Sequence, residues 1–274
     1  HSLFKERVVE SSQQFSVGWE DPTEQQEKAR LKRLSECNKK FILTSVNSHE
    51  RQRYEDAIEK LGAQVLRSSM FSKDVTHILT HLPNKSEKYL CSLAAGKWIL
   101  HPSYIDACLE ENCFLPEDKY EWGNPKSNLC LPTPLHGAGY RWRSKISSGH
   151  YTAFSGMKAV LMTSEIRYQA LKRLIEAGGG VILDTKEILN STHCIVDQGH
   201  VQIPCPLNEL ASKGILLLPA PYLADFLIKD PPPDSKQCLI PEYIPFYNRL
   251  APNLLEIEMA ITKKLFIGYE CVIH

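Results

Sequence analysis

The sequence predicts an α/β protein made of two small domains in tandem, each a parallel four-stranded sheet flanked by three helices in the order βαββαβα. Three observations predict it. Short apolar runs of strand length alternate with segments of helical apolar spacing, the pattern of a parallel sheet covered on both faces. The pattern occurs twice: Gly62 and Gly178 lie 116 residues apart, as do His77 and His193, which marks an internal repeat. The chain has 274 residues, 43% of them apolar, enough for two ordinary cores.

Residues 1–38 are polar and charged. A short helix is expected from Pro22 to Leu34, with Asp21 as its cap and Glu24 and Glu27 towards its positive end. The first repeat, 39–122, opens on the strand run Phe41-Ile42-Leu43. Tyr54, Ala57, Ile58 and Leu61 then fall on one helical face, and Gly62 ends that helix. Ala63 to Leu66 and Thr76 to Leu79 are strands, Ser86 to Ala95 a helix, Trp98 to Leu100 a strand, and Pro102 opens a helix to about Glu111. Residues 123–153 form a linker rich in Gly, Pro and Ser. Within it, Tyr140-Arg141-Trp142-Arg143 is expected to be helical and to seat Trp142 on the domain junction. The second repeat, 154–247, places strands at Ala159 to Met162, Val181 to Leu183, Thr192 to Val196 and Ile215 to Leu218. Its helices are Tyr168 to Ile175, Leu207 to Ala211 and Pro221 to Ile228. Residues 248–274 form a tail.

Composition excludes several functions. Lys+Arg and Asp+Glu are both 32, a net charge of zero, without the basic excess of a protein that binds the nucleic-acid backbone. The nine cysteines sit mostly in apolar segments and lack zinc spacing, so reduced, buried thiols are expected and no metal. No apolar run approaches the roughly 18 residues of a membrane span. No nucleophile–base pair or nucleotide loop appears: Gly178-Gly179-Gly180 follows a helix and precedes a strand, the reverse of a dinucleotide site. No catalytic residue, cofactor or small-molecule substrate is therefore assigned. His77 and His193 hold the same repeat position, which points to a shared hydrogen bond in the fold.

Lys60-Leu61-Gly62-Ala63-Gln64-Val65, Thr76-His77-Ile78-Leu79 and Ala95-Gly96-Lys97-Trp98-Ile99-Leu100 resemble a BRCT domain. Gly178-Gly179-Gly180-Val181, Thr192-His193-Cys194-Ile195 and Gly214-Ile215-Leu216-Leu217 repeat the resemblance. More narrowly, Asn47 through Arg51, Glu87-Lys88-Tyr89-Leu90, Tyr120-Glu121-Trp122-Gly123, Arg141-Trp142-Arg143 and Phe154-Ser155-Gly156 are similar to a BRCT pair of a replication and checkpoint scaffold. The resemblance implies a nuclear, non-enzymatic module that reads a phosphorylated Thr or Ser on a repair or checkpoint partner, such as a repair helicase. Phosphate-reading BRCT pairs use a hydroxyl closing the first strand, the next backbone N–H and a lysine on the second helix. The resemblance puts these at Thr44, Ser45 and Lys88, with Arg51 as a fourth donor and Lys85, Leu90 and Arg167 along the peptide groove.

The chemistry fits those positions. A dianionic phosphate needs donors converging from several elements. Thr44 ends a parallel strand, where open α/β sheets bind ligands, and Lys88 lies in the first turn of a helix, whose N-terminus favours an anion. Each charge-assisted bond contributes about 1.5–3 kcal/mol. The bland readings are a turn residue for Thr44 and solvated surface charges for Lys88 and Arg51. The second repeat has Pro206 where the first has Lys88, and its first strand ends Met162-Thr163-Ser164, so one phosphate pocket per chain is expected. The helices are expected to meet across the junction through Leu90 and the Ile105/Leu109 face. The alternatives are a phosphate-independent dimerisation module, or DNA-end binding through the same pocket aided by Arg141 and Arg143.

Overall fold

The computed structural model describes residues 37–129, 133–197 and 203–250; the helix expected at 22–34 lies outside them. The first sheet contains β1 (Lys40–Leu43), β2 (Gln64–Val65), β3 (His77–Leu79) and β4 (Trp98–Leu100), all parallel in the order β2-β1-β3-β4. Its helices are α1 (Ser48–Lys60), α2 (Glu87–Ala94) and α3 (Ser103–Glu110). The linker supplies α4 (Pro134–Ser147). The second sheet contains β5 (Lys158–Met162), β6 (Val181–Ile182), β7 (His193–Val196) and β8 (Leu216–Pro219), in the equivalent order β6-β5-β7-β8. Its helices are α5 (Glu165–Ala177), α6 (Leu207–Ser212) and α7 (Pro221–Ile228). The predicted fold class is the observed one.

The strands read as continuous apolar runs because both faces of each sheet are covered. In β1, Phe41 and Leu43 face a core shared with Tyr54 and Ile58 of α1 and Tyr104 and Ile105 of α3. Ile42, with Ile78 and Ile99, faces the other way, towards Leu90 and Leu93 of α2. That second core continues into the other domain, where α2 packs on α5 and α7 and the linker helix packs on α2, β4 and α7. This corrects one expectation. Ile105 and Leu109 do not meet the second domain; they close the first domain's own core under α1, on the opposite sheet face. Leu90 does belong to the junction core.

The linker glycines admit a helix pressed onto the sheet. A Cβ on Gly139 would lie 3.2 Å from Ile99 Cδ1, so a side chain there would press on Ile99, and glycine lets α4 sit close to β4. Trp142, as expected, seats on the junction, its Nε1 donating to Leu227 O at 2.7 Å. Arg141 donates through Nη2 to the carbonyls of Leu227, Ile228 and Lys229, orphan acceptors at the end of α7. Arg143 forms a bidentate pair with the fully buried Glu121 (2.5 and 2.7 Å) and lies 3.5 Å over the Trp98 ring. Arg173 of α5 reaches Glu87 of α2 at 2.6 and 2.8 Å, a bidentate pair joining the domains. Short 3-10 turns at Glu117–Tyr120, Thr185–Asn190 and Ser235–Cys238 were not anticipated, since one turn is too short to show a period.

The repeated histidines have the shared fold role expected of them. Thr76 Oγ1 accepts from Lys40 N–H at 2.7 Å and lies 2.7 Å from His77 Nδ1. Thr192 Oγ1 accepts from Lys158 N–H at 2.9 Å and lies 2.7 Å from His193 Nδ1. Each pair ties the start of the third strand to that of the first.

Burial pushes the His193 pKa down to about 4, from an ordinary value of 6.5. The unfolded chain therefore binds a proton that the folded chain refuses as pH falls below 6.5, and stability drops across that window down to about 4. Burial opposes ionisation of Glu117, yet hydrogen bonds from His77 and Lys39 hold its pKa at about 2 against an ordinary 4.5. Its stabilisation is present above 4.5 and is lost as pH falls from 4.5 towards 2. The melting temperature should hold near neutral pH and decline steadily below 6.5. His193→Asn should flatten the upper part of that decline; an unchanged profile in the variant would refute the assignment.

Candidate functional site

The C-terminal ends of the first sheet's strands meet the N-termini of α1 and α2. Thr44 follows β1, its N–H donating to Leu79 O at 3.0 Å, which continues the ladder by one residue. Its hydroxyl lies 3.3 Å from that of Ser86. Ser45 then turns the chain with φ +50°, a left-handed conformation unusual for a residue other than glycine. Asn84 Nδ2 donates to Ser45 Oγ, and Asn84 Oδ1 accepts from Ser86 N–H at 2.8 Å. Asn84 therefore couples the β1 turn to the start of α2. Ser45 N–H has no partner among the described residues. A free N–H at a left-handed turn is a component of backbone anion-binding concavities.

Two cations border this turn. Lys88, in the first turn of α2, donates from Nζ to Leu43 O at 3.2 Å. Burial first, and then the nearby Arg51 guanidinium, hold its pKa below the usual lysine value. Among the described residues no carboxylate lies within ion-pair distance of Lys88. Arg51, in the first turn of α1, has only a loose pair with Glu55 at 3.6 Å. The structure thus brings Thr44, Ser45, Lys88 and Arg51 to one locus.

The three groove positions are placed differently. Leu90 is 8% exposed and packed in the junction core, so it cannot contact a peptide as expected. Lys85 lies 3.7 Å from Asp225 of α7 and bridges the domains beside the pocket. Arg167 pairs with Asp197 within the second domain. Both were expected along the peptide groove, and each carries an ion pair while its side chain stays more than half exposed. Their acidic partners lie 140 and 30 residues away in the chain, beyond any local sequence signal. Ser86 and Asn84 were missed as site residues, although Asn84-Lys85-Ser86 before an apolar helix is a readable capping signal. Ser86 accepts from Tyr89 N–H as the α2 cap.

Among the described residues, the second repeat carries no such site. Strand pairing aligns Thr44 with Met162, which lacks a hydroxyl. Pro206 caps α6 with no side-chain bond. Asp197 accepts from Ser164 N–H at 3.3 Å, so a carboxylate stands beside this turn and would repel a phosphate.

Comparison with known proteins agrees with this architecture. The family model of the Regulator of Ty1 transposition protein 107 BRCT domain matches residues 22–122. SMC5-SMC6 complex localization factor protein 1 of Homo sapiens is 30% identical over 191 residues, 68% of this chain and 18% of that protein. Its Mus musculus counterpart is 29% identical over 216 residues, 77% of this chain and 20% of that protein. The chain therefore spans about a fifth of the length of these relatives. The BRCT5-BRCT6 domains of S. pombe Brc1 superpose with a TM-score of 0.55 at 15% identity, covering 76% of this chain and all of that one. The fold is that of a tandem pair of BRCT domains.

Proposed function

We propose that this tandem pair of BRCT domains is a scaffold module that binds a phosphorylated Thr or Ser on a protein partner through the first repeat. The observation that carries it is the convergence of two cations, Lys88 and Arg51, on a turn with a free N–H and a hydroxyl. Lys88, partly desolvated and without a carboxylate at ion-pair distance, and Arg51, held only loosely by Glu55, are stabilised by a dianion brought from outside. The sequence resemblance to the C-terminal BRCT pair of DNA topoisomerase II-binding protein 1 supports a nuclear repair or checkpoint partner, a repair helicase among them. The similarity to SMC5-SMC6 complex localization factor protein 1 supports a role in placing repair machinery.

The DNA-end reading loses its two auxiliary cations: Arg141 caps α7 and Arg143 is paired with Glu121. The phosphate-independent dimerisation reading requires equal affinity for modified and unmodified partners.

Fluorescence anisotropy with a phosphothreonine peptide from a repair-helicase partner and its unphosphorylated twin tests the proposal. Micromolar binding of the first only is expected, weakening below about pH 6 as the phosphate takes up its second proton. Equal binding of the two would end the phosphate reading.

A further inference from the structure

The two repeats differ at the opposite end of the sheet, beside the paired histidines. In the first repeat, His77 Nε2 meets Glu117 at 3.2 Å. Phe114 stacks on Phe41 at 5.9 Å and on Tyr104 at 6.4 Å. Lys39 pairs with Glu117 and lies 5.6 Å from the Phe114 ring centroid. The segment after α3 thus closes this end of the first domain with one aromatic ring and one acceptor.

Among the described residues, the second repeat lacks that closure. Trp122 N–H bonds Ile99 O and Ile240 N–H bonds Leu217 O, which puts the two post-helix segments in register. In that register Phe114 corresponds to Pro232 and Glu117 to Ser235. Strand pairing likewise aligns Phe41 with Ala159 and Trp98 with Leu216. A cavity of about 310 Å³ opens here, lined by Phe154, Met157, Thr192, His193, Tyr222 and Phe226. Thr192 occupies His193 Nδ1 as Thr76 occupies that of His77, and His193 Nε2 has no partner among the described residues.

We infer that this cavity receives a segment of a protein partner, an aromatic side chain followed three residues later by a neutral side-chain amide, in place of the Phe114–Glu117 closure that the first repeat supplies to itself. The volume sits at the lower end for ligand sites and suits one or two side chains. The walls from Phe154, Tyr222 and Phe226 suit an aromatic ring. The polar group is neutral because Met157 stands at the position of Lys39. With no cation there, a buried carboxylate would lack the compensation Glu117 enjoys. Thr192 Oγ1 also donates to Lys158 O at 3.2 Å, and in either ring tautomer Nε2 is a polar atom that a side-chain amide, both donor and acceptor, can meet; burial keeps the ring neutral near pH 7.

The test titrates the 15N-labelled full chain with the capped peptide Phe-Leu-Pro-Gln at millimolar concentration, reading the His193 ring nitrogens and the backbone amides of 153–157 by NMR. Saturable shifts at these sites are expected. The Glu-for-Gln peptide and the Ala-for-Phe peptide should each bind about tenfold more weakly, and His193→Leu should abolish the response. No shift at any of these nuclei, tighter binding of the Glu peptide, or indifference to loss of the aromatic ring would each overturn the inference. His193 lies in the other domain from Thr44 and Lys88, so this result stands or falls separately from the phosphate pocket.

Discussion

Lys88→Glu should abolish phosphopeptide binding while the protein stays folded. The ammonium supplies one charge-assisted bond, worth about 1.5–3 kcal/mol, and reversing its sign adds repulsion against a dianion. A loss of at least about a hundredfold, into the non-binding range of an anisotropy titration, follows. Lys88→Met isolates the effect on stability. Burial and the Arg51 charge depress the Lys88 pKa, so below that pKa the charged form is held less favourably in the folded chain than in the unfolded one. Removing the charge should therefore leave the melting temperature unchanged or raise it at neutral pH, while affinity collapses. This is the behaviour of a residue kept for binding at a cost to the fold. A clear loss of thermal stability in Lys88→Met, or retained affinity, would return Lys88 to an ordinary structural role.

Arg143→Met should be the most destabilising of the surface-reaching substitutions. Glu121 is 0% exposed, and Arg143 supplies both of its cationic hydrogen bonds. Removing one member of a buried pair leaves an uncompensated charge and costs about 3–5 kcal/mol. Burial already pushes the Glu121 pKa up against the pull of Arg143, so in the variant, with that pull gone, the carboxyl pKa should rise further. Denaturant unfolding gives the loss directly, and a pH series should show the variant recovering partly as pH falls. The double variant Arg143→Met/Glu121→Leu should regain most of the lost stability, because no buried charge then remains. Additive losses in the double variant would mean that the pair is not coupled. The pair also latches α4 onto the first domain, so Arg143→Met should increase proteolysis in the linker.

By itself the sequence determined the elements, their order and their duplication. Phe41-Ile42-Leu43, the Tyr54–Leu61 helical face and Gly62 report local periods and backbone freedom, and such signals need no tertiary partner. Gly62/Gly178 and His77/His193 made the repeat visible, and the repeat made the shared histidine role legible before any contact was known. Thr44, Ser45, Lys88 and Arg51 were placed together by the resemblance, and their positions at a strand end and at helix starts are compatible with it. Tertiary structure alone decided which polar groups were taken. Lys85 meets Asp225, Arg143 meets Glu121 and Arg173 meets Glu87, each through packing of segments far apart in the chain. Leu90 shows the same limit, since an apolar residue on a helix reads alike whether it faces a groove or a core, and the domain junction chose the core. The open cavity beside His193 was hidden for the same physical reason: a void is defined by side chains from several elements, and the substitution of Pro232 and Ser235 for Phe114 and Glu117 acquires meaning only when strand register sets the two repeats side by side.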